Sequence, residues 1–265
     1  MRRLTVRTQI RGLLNNPAIG LCYVVGVSDD GLESDRALLD RASTAEKVAE
    51  ILRTRIIQGY FKPGARLVEG SIDGALGVSR NTLREAFRLL THEGLLAHEL
   101  NRGVFVRVPS VDDVVDIYRV RKLVECGAAR QVRRNSLQRK AIQRVVECVQ
   151  DGEDAAGESD WLAVGTADIR FHQAVAALAG SERVDDVMRR VLAELRLVFH
   201  VMADPRRFHE AYLPRNREIA AVLGTGSGAA AARMLAAYLD DAERQLVHAY
   251  RPKRRDLNAV RKVRA

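Results

Sequence analysis

Aromatic side chains are scarce in this 265-residue chain, only 5% with a single tryptophan, so its core must be aliphatic. Cysteine is rarer still. Cys22, Cys126 and Cys148 are odd in number, far apart, and form no CxxC pair. That pattern excludes a disulfide framework or a zinc finger and fits a reduced, cytoplasmic setting. Long apolar runs are missing as well. Residues 19–27, after the basic start Met1-Arg2-Arg3, are too few to span a bilayer. No small-residue cleavage site follows them, so neither a signal peptide nor a membrane partner is expected. A catalytic set is absent too, with no Ser/His/Asp arrangement, no HExxH and no histidine partner for Cys126. The run Gly224-Thr225-Gly226-Ser227-Gly228 has no preceding strand and no following Lys-Ser/Thr, so it reads as a flexible connection between helices. No enzyme is expected.

What the chain does have is positive charge in particular places. The formal charge is +9. Residues 1–43 carry +1, residues 44–110 carry +3, residues 111–250 carry −1, and the last fifteen carry +6. The long middle segment is therefore nearly neutral, and the excess sits in a short N-terminal segment and a tail, where it invites an anionic partner. The length suffices for two modest cores.

Residues 1–43 show no sustained period and read as a poorly ordered arm. Ser43 and Glu46 have capping-box spacing and predict a helix start. Val48, Ile51, Leu52 and Ile56 follow as an apolar stripe, closed by Gly59 and a Lys62-Pro63-Gly64 turn. A short helix over 69–76 breaks at Gly77-Val78, and a third covers 79–93. Two apolar runs, 95–100 and 104–108, flank Asn101-Arg102-Gly103 and predict a β-hairpin. Pro109-Ser110 marks a boundary. Beyond it the spacing predicts helices near 111–135, 136–152, 159–179, 182–202, 206–223 and 228–250. The expected fold is mainly α: a winged helix-turn-helix over 44–109, an all-α bundle of six or seven helices over 110–250, and a basic tail over 251–265.

The third helix carries two faces. Leu83, Ala86, Phe87 and Leu90 follow i, i+3, i+4, i+7 and belong in a core. Arg80, Arg84 and Arg88 recur every four residues on another stripe. Guanidinium groups can grip phosphates or take both acceptors of a guanine edge. Asn81 and Thr82 lie in the first turn, the part of a recognition helix that meets DNA. Arg102 and Gly103 occupy the hairpin tip, placed to enter a neighbouring minor groove.

Residues 44–108 resemble the GntR family of bacterial regulators, in its FadR-like group. The resemblance is carried by Gly59, Pro63-Gly64, Leu67 and Glu69. It continues through Leu76-Gly77-Val78-Ser79-Arg80, Leu83-Arg84-Glu85-Ala86, Glu93-Gly94-Leu95 and Arg102-Gly103. It implies that Arg80, Asn81, Thr82, Arg84, Arg102 and Gly103 touch double-stranded DNA. Two departures stand out. Gly70 lies where some relatives place a phosphate-contacting arginine, and Asn81-Thr82-Leu83 replaces a common Thr-Pro-Val, which implies an altered base preference.

Residues 111–250 resemble the helical C-terminal (FCD) domain of that group, with Ile117–Glu125 as its opening helix. Such domains bind small organic acids, many through a metal. Asp168 and His172, spaced i, i+4, face one way and can share a zinc or nickel ion. In the metal-binding branch two further histidines follow, and the matching positions here hold Asn216 and Tyr238. Neutral amide oxygen and protonated phenol are poor ligands for those ions. Three readings stay open: an ordinary Asp168–His172 pair, an incomplete metal site, and a metal-free pocket in which His172, Asn216 and Tyr238 bind the effector directly. Arg121 would anchor a carboxylate, or else form an ion pair at the surface. The resulting expectation is a homodimeric repressor that reads a near-palindromic operator and answers to a carboxylate-containing effector. The competing expectation is a ligand-independent DNA-binding protein whose helical domain only dimerises.

Overall fold

The computed structural model describes residues 32–133, 138–202 and 204–250. The sequence expectations for 1–31 and for the tail 251–265 lie outside them. The first helix, α1, spans Leu32–Ile57, which corrects the expected start at Ser43. Residues 32–42 contain neither glycine nor proline and are rich in good helix formers, so nothing stops the helix there, and the local capping signal loses to propagation.

A two-residue strand β1 (Arg66–Leu67), helix α2 (Glu69–Leu76) and helix α3 (Arg80–His92) follow. Gly77 ends α2 in the left-handed region at φ 64°, and its N–H bonds back to the Asp73 carbonyl. Ser79 caps α3, its hydroxyl oxygen accepting from the Thr82 N–H at 3.1 Å. Strands β2 (Leu96–Glu99) and β3 (Gly103–Val106) form the expected hairpin. Asn101 (φ 61°) and Gly103 (φ 105°) supply its positive-φ positions. The sheet is antiparallel in the order β1-β3-β2, with Arg66 opposite Phe105 and Ala97 opposite Phe105 on the other side. A strand as short as β1 leaves no periodic trace, and the sequence reading missed it.

The helical domain comprises α4 (Val111–Arg130), α5 (Arg139–Gly157), α6 (Trp161–Ala177), α7 (Glu182–Val201), α8 (Pro205–His209), α9 (Leu213–Gly224) and α10 (Gly228–Tyr250). A capping box opens α4, in which Ser110 and Asp113 satisfy each other's backbone N–H groups. The single helix expected over 206–223 is two, because Asp204 caps a short α8 and Pro214 opens a new helix. The expected helix over 111–135 stops at Arg130.

Two aliphatic cores result. Leu83, Ala86, Phe87 and Leu90 of α3 are all buried, as their spacing required, with Val48, Leu52 and Ile56 of α1 and Val104 and Val106 of β3. Each large side chain so buried contributes roughly 1.5–3 kcal/mol. Ala193 and Leu197 of α7 belong to this same cluster. The second core fills the helical bundle and includes Phe171, Met188, Phe208, Leu235 and Leu239.

Candidate nucleic-acid interface and a buried polar cluster

The core face of α3 points inward, so its arginine stripe faces solvent. The Arg80, Arg84 and Arg88 side chains are 76%, 60% and 79% exposed. Each leans on a nearby carboxylate: Arg80 on Asp73 at 3.5 Å, Arg84 on Glu69 at 3.1 Å, Arg88 on Glu85 at 3.0 Å. Exposed pairs of this kind are worth about 0–1 kcal/mol, so the guanidinium groups can leave them for a phosphate or a base. Asn81 is exposed, whereas the Thr82 hydroxyl is 2.8 Å from the Ser79 hydroxyl and takes part in the cap. Arg102 at the hairpin tip pairs with Glu99 and lies over the Phe105 ring.

Sequence reading missed Arg66. It is exposed on β1 and its guanidinium lies against Gly103, 3.5 Å from where a Cβ there would sit. The wing thus presents two arginines, not one. Between α3 and the wing lies a groove of about 610 Å³ lined by Arg84, Arg88, His92 and His98 among others. At Gly70 a Cβ would meet nothing within 4 Å, so packing does not demand glycine there.

The helical domain gathers Asp168, His172, Asn216 and Tyr238 from α6, α9 and α10 into one buried cluster. The Tyr238 hydroxyl donates to Asp168 Oδ1 at 3.1 Å, and Asn216 Nδ2 donates to the same oxygen at 2.9 Å. His172 Nε2 is 3.2 Å from the Tyr238 hydroxyl and its Nδ1 is 2.7 Å from Glu125 Oε2. Glu125 Oε1 accepts from Arg121 Nε at 2.7 Å. Arg121 is only 1% exposed, so the surface ion-pair reading is corrected: the pair exists, but in the interior. The ordinary Asp168–His172 pair is also corrected, because their closest approach is 3.7 Å and Tyr238 stands between them.

Burial pushes the Tyr238 phenol well above its ordinary pKa, with the Asp168 charge adding to the effect, and the hydroxyl stays protonated. Burial would raise Asp168, but His172, His209 and the Asn216 hydrogen bond outweigh it and hold its carboxyl below the usual value.

Glu125 and His209 join the cluster without having been expected there. Glu125 follows Arg121 by one helical turn, a spacing visible in the sequence, but only packing shows that both turn inward. His209 comes in on the short α8, 3.8 Å from Asp168 Oδ2 and edge-on to Phe199 and Phe208. The residues do not fit a divalent metal well. Among the described residues no group of three His, Cys, Asp or Glu side chains is disposed to hold one. Trp161, the single tryptophan, is half-buried beneath Arg206.

Helix α7 joins the cluster to the DNA-reading half. Arg196 is buried, and its Nη2 donates to the Leu162 carbonyl and to Thr166 Oγ1 of α6, both at 3.0 Å. Its Nε reaches the Ile57 carbonyl at the end of α1, at 3.3 Å. A Cβ on Gly165 would sit 2.5 Å from Arg196 Nη1 and 2.8 Å from His209 Nε2. His200 Nε2 also meets the Ile57 carbonyl, at 2.8 Å, and Glu194 pairs with Arg107 at 2.7 Å just beyond the wing.

Burial lowers the His200 pKa below 6.5, Arg196 adding to this against the pull of the Ile57 carbonyl. A depressed imidazole binds fewer protons folded than unfolded, so stability is complete above about pH 6.5 and falls as pH drops through that value. Thermal melts between pH 8 and pH 5 should show this loss, and His200→Gln should flatten the slope. An unchanged slope in that variant would assign the loss elsewhere.

An arginine-faced helix, a basic wing, and a helical domain fastened to both define a two-domain winged-helix regulator of transcription. The chain belongs to the GntR family. Residues 44–106 match "Bacterial regulatory proteins, gntR family" and residues 116–241 match the FCD domain. The chain is 33% identical over 158 residues to the Nta operon transcriptional regulator of Aminobacter aminovorans, covering 58% of this chain and 73% of that one. A solved structure of a transcriptional regulator GntR from Rhodococcus sp. RHA1 is 49% identical, with a TM-score of 0.74 over 79% of this chain and 100% of the other. The E. coli McbR/YncC structure, at 17% identity, shares the fold, with a TM-score of 0.64 over 78% of this chain and 98% of its own. The Aminobacter and Rhodococcus relatives are regulators of transcription rather than enzymes. Among the described residues no helix is long and apolar enough to cross a membrane.

Proposed function

We propose that this regulator is a cytoplasmic homodimeric repressor that reads a near-palindromic operator through α3 and the wing, and that a small carboxylate-containing acid in the helical domain controls it. Arg80, Asn81 and Arg84 stand at the N-terminal half of α3, where a recognition helix meets base edges. Thr82 fixes the cap that holds this end in place. Arg88, two turns further along, serves a phosphate. Arg66 and Arg102, with Gly103 allowing close approach, grip the backbone beside the groove.

Arg80→Ala and Arg84→Ala should each weaken operator binding by about 1–3 kcal/mol and relax base preference. Arg66→Ala should weaken binding evenly across sequences and reduce the salt dependence by about one unit of slope. Fluorescence anisotropy on operators selected from a random library measures all three. Undiminished affinity in both α3 variants would sink the recognition-helix assignment.

One observation carries the effector reading. Among the described residues five buried side-chain polar atoms lack a hydrogen-bond partner, and four lie in this cluster: Arg121 Nη2, both His209 ring nitrogens and Asn216 Oδ1. Buried polar groups without partners are costly, and a concentration of them marks a place built for something polar. An arginine N–H suits a carboxylate, and Asn216 Oδ1 suits a hydroxyl or amine beside it. Arg196 supplies the route outward, since an acid that shifts His209 or α6 also shifts the guanidinium held on the last turn of α1. An acid bound 100-fold above its Kd should stabilise the protein by about 2.7 kcal/mol and change operator affinity. No thermal shift from any of a broad set of small acids would favour the ligand-independent alternative.

A further inference from the structure

We infer that the helical domain excludes divalent metal from Asp168 and His172, and that the hydrogen-bonded chain Arg121–Glu125–His172–Tyr238–Asp168–Asn216 ties α4, α6, α9 and α10 together in place of an ion. This holds whichever acid the domain takes, and it stands apart from the effector reading.

The geometry argues it atom by atom. Asp168 Oδ1, the carboxylate oxygen that faces His172, already accepts from two hydrogens, the Tyr238 hydroxyl at 3.1 Å and Asn216 Nδ2 at 2.9 Å. A metal and two polar hydrogens compete for the same lone pairs. His172, which would be the second ligand, has both ring nitrogens in use, on Glu125 at 2.7 Å and on Tyr238 at 3.2 Å. His209 offers no rescue. Its Nδ1 stands 3.8 Å from the other Asp168 oxygen, but among the described residues no group of three His, Cys, Asp or Glu side chains is disposed to hold an ion there. Zinc and nickel favour imidazole, thiolate and carboxylate donors, and here two of the four spaced positions present a neutral phenol and a neutral amide.

What an ion would do for the fold is done by charge pairing and hydrogen bonds. Arg121 balances Glu125 at 2.7 Å, and Asp168 is held by donors from α9 and α10. Each link of the chain is made, and the unpartnered atoms, Arg121 Nη2 and Asn216 Oδ1, lie on its two end residues.

The test is metal uptake by the full-length, tag-free chain. Protein stripped with chelator and dialysed against zinc, nickel or manganese should retain far less than one ion per chain, and its melting temperature should be the same with metal or with EDTA. The double variant Asn216→His with Tyr238→His should take up zinc or nickel at about one per chain, with a raised melting temperature. Asp168→Asn in that background should abolish the uptake. Stoichiometric uptake by the wild type that Asp168→Asn removes would overturn the inference. Wild-type uptake that survives Asp168→Asn places the ion elsewhere and upholds it. Should the double variant fail to fold, the wild-type dialysis and its Asp168→Asn partner decide alone.

Discussion

Replacing Glu125 by alanine is expected to lower the unfolding free energy by about 3–5 kcal/mol, the cost of leaving a buried charge without its counter-ion. Glu125 is 0% exposed and joins Arg121 to His172. Burial alone would raise its pKa, but Arg121 and then His172 outweigh that and hold the carboxyl below its ordinary value. Its contribution is therefore complete above the usual carboxylate range and is lost as pH falls through the depressed value. Without it, the Arg121 guanidinium keeps its stacking on the Tyr118 ring, 4.7 Å away, but loses its hydrogen-bonded counter-ion. Urea unfolding at pH 7 measures the loss. The double variant Arg121→Met with Glu125→Leu should recover most of it, since well-packed apolar pairs replace buried ion pairs at little cost. A Glu125→Ala loss under about 1 kcal/mol would show that the cluster behaves as a surface pair.

The second large effect is expected at Gly228, the first residue of α10. A Cβ there would lie 2.4 Å from the Ala129 carbonyl oxygen, 2.7 Å from that of Val132 and 3.0 Å from the Val132 nitrogen. All three are backbone atoms at or just beyond the end of α4, so no rotamer change can relieve the clash and α10 must move away from that segment. Gly228→Ala should cost at least the upper end of the about 1–3 kcal/mol typical of overpacking. Gly224→Ala is the control. Nothing lies within 4 Å of its Cβ, and in a helix alanine gains about 0.5–1 kcal/mol over glycine. Melting temperatures of the two variants should move in opposite directions, and a neutral Gly228→Ala would refute the close approach.

Gly228 also shows where sequence reasoning stopped. The run 224–228 read as a flexible connection because composition reports local freedom, whereas the need for glycine comes from a helix nearly a hundred residues earlier. The DNA-reading half was legible because its signals are local. The three arginines spaced four apart, the core stripe of α3, the Gly77 break and the Asn101–Gly103 turn each lie within about nine consecutive residues. Failures in that half were also local, at the two-residue β1 and at Ser43, where a capping pattern sits inside a longer helix. In the helical domain the i, i+4 spacing put Asp168 and His172 on one face, and the family resemblance, not any local pattern, implied that Asn216 and Tyr238 join them. Glu125 and His209 were not foretold, because whether a carboxylate faces Arg121 from inside or outside, and whether α8 turns inward, depends on packing between helices.

Ala193 and Leu197 of α7 lie within the hydrophobic cluster of the winged helix, and the unit that folds is therefore larger than the unit that reads DNA. A fragment ending at residue 109 keeps every arginine of the recognition face and wing, yet exposes the apolar surface those two side chains cover. It also leaves the Ile57 carbonyl without Arg196 and His200. Such a fragment should melt well below the intact chain, and slow amide exchange along α1 and α3 in the whole protein should be governed by the integrity of the C-terminal bundle.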